Sequence, residues 1–294
     1  MKKLFISAAA VLAAFSINAQ VFNVGEIQQV KLDGAVDKPV LSADGSFVVA
    51  QTKGGLQKID LATGATEVIA TGNDLYHTTI SPDGKTVVYT RPSYDKNHLR
   101  YTALEAVNLD NGKVETIVKP SRNMAAGAAV SNQEVVALNN GKMARKTVNK
   151  TAQASVERPV VAINRGHLMV NGAILDPQGK GSYLWPALSP DGTKIVYRLV
   201  NRGSFVCNLD GSGVQPVGNI NAAVWAGNDA IVGMVTEDNG EYVTAGRIVA
   251  HDLKSGENQT LTSDEMIAVY PTATANRIAF VDAEGNLYMM DINK

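Results

Sequence analysis

The amino-acid sequence predicts an all-β fold, a β-propeller of four-stranded antiparallel blades, with six blades preferred and seven as the alternative. Three observations carry this. A Ser-x-Asp-Gly turn recurs at Ser42-Ala43-Asp44-Gly45, Ser81-Pro82-Asp83-Gly84 and Ser189-Pro190-Asp191-Gly192, followed by the strands Phe47-Val48-Val49, Val87-Val88-Tyr89 and Ile195-Val196-Tyr197. Downstream, an Asp/Asn-Leu step returns at Asp60-Leu61, Asn108-Leu109, Asn208-Leu209 and Asp252-Leu253, each followed at fixed spacing by Gly64, Gly112, Ser212 or Gly256. Beyond residue 20 the apolar runs are short, rich in Val, Ile, Tyr and Thr, and bounded by Gly, Asp and Asn, which are strand and turn signals. A repeat of about forty residues is the mark of one supersecondary unit copied around a ring or along a line.

The elements follow in chain order. Residues 1–19 read as a secretory signal peptide, with Lys2 and Lys3 before the apolar run Leu4 to Phe15 and Ala19 at the cleavage site. A single propeller domain over 20–294 is then expected, periplasmic or secreted, with no lipid-bearing cysteine after the apolar run. Units are clear around 36–70, 74–118, 183–218, 219–262 and 265–294. The middle, 119–182, holds two candidate cores, at Glu134-Val135-Val136-Ala137-Leu138 and in a meander from Val160 to Asp176. Counted as one blade with an extra hairpin they make six; counted separately they make seven. The last unit stops at Lys294 without a fourth strand, and 25–32 carries the missing pattern. Residues 25–32 are therefore expected to pair with 286–292 and close the ring, which satisfies two edges at once. Val170-Asn171-Gly172-Ala173 has the chemistry of a type I′ hairpin.

Charge excludes some functions. The 27 basic residues, less Lys2 and Lys3, leave 25 against 28 acidic ones, a net charge of −3. No basic footprint for nucleic acid or an anionic membrane results. The single cysteine, Cys207, lies in a strand-like run and reads as a small buried hydrophobe. A monomer is expected, stabilised by packing alone.

The full motif at 81–89 and 189–197, partial at 42–50 and degenerate at Ser131-Asn132-Gln133, Ala226-Gly227-Asn228-Asp229 and Thr274-Ala275-Asn276, resembles the TolB-like β-propeller repeat. The TolB protein itself carries an N-terminal α/β domain, and peptidases with such propellers carry a C-terminal hydrolase domain. Here the repeats fill almost the whole chain, so a free-standing propeller is expected. The resemblance implies docking of an envelope lipoprotein or peptide strand.

Strand polarity places candidate residues. The loops from outermost to innermost strand and from second to third strand share one face, and the Ser-x-Asp-Gly turns lie on the other. Counting four residues back from each turn serine, or its equivalent, marks the start of the inner strands: Lys38, His77, Gly127, Trp185, Ala222 and Tyr270. These should rim the channel mouth. Two long loops, Arg91 to Arg100 and Thr236 to Tyr242, should project from the same face and bring Arg91, Tyr94, Lys96, His98 and Arg100 together with Glu237, Asp238, Glu241 and Tyr242. The candidate binding set is Lys38, His77, Arg91, Tyr94, His98, Trp185 and Tyr270. The bland alternative packs Trp185 and Tyr270 between blades and leaves the charged loops solvated. Trp225, directly before a turn, reads as core.

Enzyme signatures are thin. The four histidines, His77, His98, His167 and His251, lack the paired spacing of metal sites, and no Gly-x-Ser-x-Gly elbow is present. No catalytic residue, metal or cofactor is assigned. The matches to the glycosylation sequon at Asn149 and Asn258 read as idle behind a bacterial-type signal. The leading expectation is an exported, non-catalytic propeller that binds an envelope protein or peptide through its channel-mouth face. The alternative is a carbohydrate-active propeller, a polysaccharide lyase or glycan-binding module, using His77, Trp185, Tyr270 and loop arginines. A third possibility is a scaffold that meets its partner on the outer rim of a blade.

Overall fold

The computed structural model describes residues 20–294; the signal peptide expected over 1–19 lies outside them. No helix among the described residues is long and apolar enough to cross a membrane. The strands form seven antiparallel sheets arranged as a ring. Blade 1 comprises Asp37–Leu41, Phe47–Thr52, Gly55–Asp60 and Thr66–Thr71. Blade 2 comprises Tyr76–Ile80, Thr86–Tyr94, Arg100–Asn108 and Val114–Ser121. Blades 3 and 4 have three strands each: Met124–Ala129, Glu134–Asn139 and Lys142–Thr147, then Val161–Asn164, His167–Val170 and Ala173–Ile174. Blade 5 runs through Tyr183–Leu188, Lys194–Leu199, Gly203–Asn208 and Gln215–Gly218. Blade 6 runs through Asn221–Ala226, Ala230–Asp238, Val243–Asp252 and Asn258–Thr260. Blade 7 holds Ala268–Ala273, Arg277–Asp282 and Leu287–Asn293. The first strand of each blade meets the first strands of its two neighbours, so these seven surround the channel.

The preferred count of six thus gives way to seven, the other count that the sequence left open. Segment 119–182 makes two thin sheets because two strands are missing from it, not because a hairpin was added. The omission has a geometric consequence. Arg158 N–H bonds to Val130 O at 2.9 Å, at the Ser-x-Asp-Gly end of blade 3, and Arg158 Nη2 bonds to Ser189 O at 2.9 Å, at the same end of blade 5. At the other end of the strand, Tyr183 N–H bonds to Gly166 O at 2.9 Å. The inner strand of blade 4 therefore runs opposite to the other six. Dropping one strand reverses chain polarity, and dropping a second in the next blade restores it.

Ring closure is as the edge argument required. Asn23 and Val24 pair with Asn293 and Ile292, and Gln28, Gln29 and Val30 with Met289, Tyr288 and Leu287. Between the two ladders Gly25 N–H bonds to Asp291 O at 2.8 Å. Val21, Phe22 and Val30 are buried in a core cluster shared by blades 6, 7 and 1.

Each Ser-x-Asp-Gly turn is a small hydrogen-bonded clasp. The serine hydroxyls of Ser42, Ser81 and Ser189 donate to Asp44, Asp83 and Asp191 Oδ1, each at 2.6 Å. The serine Oγ atoms in turn accept from the backbone N–H of Phe47, Thr86 and Lys194 at 3.1, 2.9 and 2.9 Å, which starts the second strand. The glycines sit at φ of 72–73°, where a Cβ is disfavoured. In the degenerate turns Asn132 and Asn228 take another part: their side-chain carbonyls accept from Asp83 and Asp191 N–H of the preceding blade, both at 3.0 Å.

Candidate functional site

The inner strands do not enter the ring smoothly. In blades 1, 2, 5, 6 and 7 the register with the second strand slips near the mouth, between Asp37 and Val40, Tyr76 and Thr79, Leu184 and Ala187, Asn221 and Val224, and Val269 and Thr272. At each slip one non-glycine residue has a left-handed backbone: Lys38 (φ 46°), His77 (51°), Trp185 (47°), Ala222 (46°) and Tyr270 (51°). These are five of the six residues that counting back from the turn picks out. A bulge inserts an extra residue and re-aims its neighbours. The sixth, Gly127, departs: blade 3 slips earlier, between Met124 and Ala126, and Gly127 packs against Leu104.

Around this rim a cationic and aromatic array assembles. Lys38 Nζ lies 5.8 Å from the Tyr76 ring centroid and 5.6 Å from that of Tyr270, and Arg100 Cζ lies 5.6 Å from Tyr76. Asp37 bonds the Lys38 ammonium at 3.0 Å. Burial pulls the Lys38 pKa down, but the Asp37 bond and the two tyrosines outweigh it and the net shift is upward. A hydrogen bond donated to the Asp74 carboxylate, and then desolvation, raise the Tyr76 phenol. His77 lies beside Tyr76, its Nδ1 3.4 Å from the Thr90 hydroxyl; burial and then the Arg100 charge lower its pKa, so the imidazole is neutral at pH 7. Trp185 and Tyr270 are 43 % and 36 % exposed, open to solvent rather than sealed between blades. Trp225 is buried and its indole N–H donates to Ala187 O at 2.9 Å, as its register predicted.

The other candidates are placed elsewhere. Arg91 is a tie between blades 1 and 2: its guanidinium bonds Glu105 at 2.8 Å, Thr71 O at 2.7 Å and the Tyr89 hydroxyl at 3.4 Å. The two projecting loops are long hairpins instead, with strands that run on to Tyr94 and Asp238 and resume at Arg100 and Val243. Tyr94 and His98 sit exposed near the tip of the first hairpin, where the Asp95 carboxylate accepts from Asn97 and Leu99 N–H. Tyr76 was not singled out by sequence, although it stands next to His77. Arg122, Asn164 and Arg165 were also missed. Only the reversed polarity of blade 4 brings its first turn to the mouth.

The remaining histidines are structural. His167 Nδ1 pairs with Asp176 at 2.6 Å, and buried His251 Nδ1 contacts Asn258 Oδ1 at 3.0 Å. Among the described residues no three His, Cys, Asp or Glu side chains gather as metal ligands. Cys207 is buried, and burial pushes its thiol up to about 11.

No protein-family model and no curated protein matches the chain. Among solved structures it is similar to an oligogalacturonate lyase from Vibrio parahaemolyticus, at 15 % identity and a TM-score of 0.50, over 90 % of this chain and 79 % of that one. It is also similar to an oligogalacturonate lyase in complex with manganese, at 13 % identity and a TM-score of 0.50, over 88 % and 77 % of the two chains. At such identities the likeness is one of fold. The donor set among the described residues does not fit such a manganese site: His77 and His98 share blade 2, His167 and His251 lie on blades 4 and 6, and no three His, Cys, Asp or Glu side chains converge.

The expectation of a non-catalytic propeller docking an envelope protein or peptide is corrected here. Both solved propellers named above are oligogalacturonate lyases, and the mouth of this chain presents single aromatic rings interleaved with cations. By its strands, register and closure the chain is a seven-bladed β-propeller.

Proposed function

We propose that this protein binds an acidic oligosaccharide across the mouth of its channel. The observation that carries the proposal is the run Tyr270, Lys38, Tyr76, Arg100, in which each cation lies within 6 Å of a ring. Apolar C–H faces of a pyranose stack on Tyr and Trp rings, and the carboxylates of a uronic acid pair with ammonium and guanidinium groups. Trp185 adds a platform on blade 5, and His77, neutral at pH 7, offers a donor or acceptor. The two structural neighbours, both oligogalacturonate lyases, support the choice of an anionic sugar. The reading keeps the chain exported, on the strength of its N-terminal residues, and keeps its turns as TolB-like repeats, on the strength of the Ser-Pro-Asp-Gly motif.

Calorimetric titration with a polyuronate oligosaccharide and its carboxyl-reduced, neutral counterpart tests this. Lys38→Ala and Tyr270→Ala should each weaken the acidic ligand by about tenfold, from loss of one desolvated cation–π or stacking contact. Wild-type affinity in both variants would overturn the proposal.

A further inference from the structure

Blades 3 and 4 hold a second feature of the mouth. A cavity of about 420 Å³ opens there, lined by Arg122, Asn123 and Met124 at the start of one inner strand, Asn140 in the neighbouring hairpin, and Asn164 and Arg165 at the end of the reversed strand. Its size falls within the roughly 300–1,000 Å³ of small-ligand clefts. No carboxylate lines it. The arginine ion pairs among the described residues involve Arg91, Arg145, Arg247 and Arg277; Arg122 and Arg165 take part in none. Two guanidinium groups and three carboxamides thus face one space without an internal anion to satisfy them.

The backbone at this place is also unusual. Asn140-Gly141 (φ 52° and 71°) and Arg165-Gly166 (φ 52° and 81°) both connect their strands through two left-handed residues, the type I′ geometry. Asn171-Gly172 does the same at 48° and 82°. Asn occupies the first position in two of the three turns, as its tolerance of this region leads one to expect. In the third the position is filled by arginine, a residue with no such tolerance. Strain of this kind at the rim of a cavity, with the guanidinium left unpaired, points to a role for the side chain.

We infer that this cavity is a carboxylate-binding subsite for one acidic sugar unit, with Arg122 and Arg165 holding the carboxylate and the three asparagines meeting hydroxyls. The inference rests on the oligosaccharide reading of the mouth and extends the ligand's path from blades 7, 1 and 2 to blades 3 and 4. Guanidinium groups bind carboxylates through paired, charge-assisted hydrogen bonds, so two of them suit this anion better than lysines would.

Arg165→Asn is the informative variant, because it installs the residue its sibling turns carry and removes the guanidinium. Arg122→Gln is its partner. Each should weaken the acidic oligosaccharide by about tenfold, leave the carboxyl-reduced one unaffected, and, for Arg165→Asn, keep or raise the thermal midpoint. Wild-type affinity in both variants, or equal losses for the acidic and neutral ligands, would overturn the subsite. If instead the arginine variants lose affinity while Lys38→Ala and Tyr270→Ala do not, the subsite stands and the cation–aromatic reading of the mouth falls. A wild-type protein that binds neither oligosaccharide overturns both.

Discussion

Five residues with a Cβ, from Ala222 to Trp185, hold φ near +50° at equivalent places in five blades. The left-handed region costs about 1–2 kcal/mol for an L-residue, so the repetition is not incidental. The strain is the cost of a bulge that brings side chains to the channel mouth. At Ala222 the side chain is a single methyl, and the strain has the least to offset it. Ala222→Gly should therefore raise stability by up to about 1 kcal/mol, the backbone relief being partly cancelled by the greater freedom of glycine in the unfolded chain. Chemical denaturation checks this, and a loss of stability would show that the methyl packs well enough to outweigh the strain. Lys38, His77, Trp185 and Tyr270 were legible in the sequence because the turn serine sets a ruler. That they are the strained positions was not legible, since Lys, Trp and Tyr do not favour a left-handed backbone and a single histidine does not mark one.

The Ser-x-Asp-Gly turn is the element that sets each blade's register. Ser189 is fully buried, donates to Asp191 and accepts from the backbone of Thr193 and Lys194. Ser189→Ala leaves those two N–H groups without this acceptor and should cost about 1–3 kcal/mol in thermal or chemical unfolding. The Ser189 bond is also the largest of the causes that hold the Asp191 carboxyl below its ordinary 3.8. Its stabilisation is full above that value and is lost as pH falls through the lower folded-state pKa. Wild type should thus lose more stability than Ser189→Ala on acidification below pH 3.8; parallel acid profiles would refute the coupling. Where the motif decays, at 131 and beyond, sequence reasoning lost count of the blades. The reason is physical: Asn132 serves the preceding blade's turn, and blade 4, entered from the wrong end, has no such turn to build.

At the scale of the whole molecule, stability depends on closing a ring of seven small sheets. Blade 7 is completed by the N-terminal ladders at Asn23–Val24 and Gln28–Val30, and the chain around them buries Val21, Phe22 and Val30. Removing 21–30 exposes those side chains and leaves the edge of Leu287–Asn293 unpaired. At about 1.5–3 kcal/mol for each large buried side chain, the loss is about 5 kcal/mol or more, comparable with the whole stability of many domains. The shortened chain should melt far below wild type or fail to fold, and an unchanged melting temperature would contradict the closure. Smaller ties hold blade 7 to both neighbours: Arg277 Nη1 to Gly45 O of blade 1 at 2.8 Å, and Lys294 to Asp252 of blade 6 at 2.6 Å.

The sequence by itself determined the propeller, the closing pair of segments and the rim positions, because turn chemistry and strand periodicity are local and repeat at a fixed interval. The tertiary structure decided three other things. It settled seven blades over six, reversed the inner strand of blade 4, and gathered Tyr76, Arg122 and Arg165 at the mouth. Those depend on the direction in which a strand traverses the ring and on which blades face each other across a channel. Neither is written in any window shorter than the ring itself.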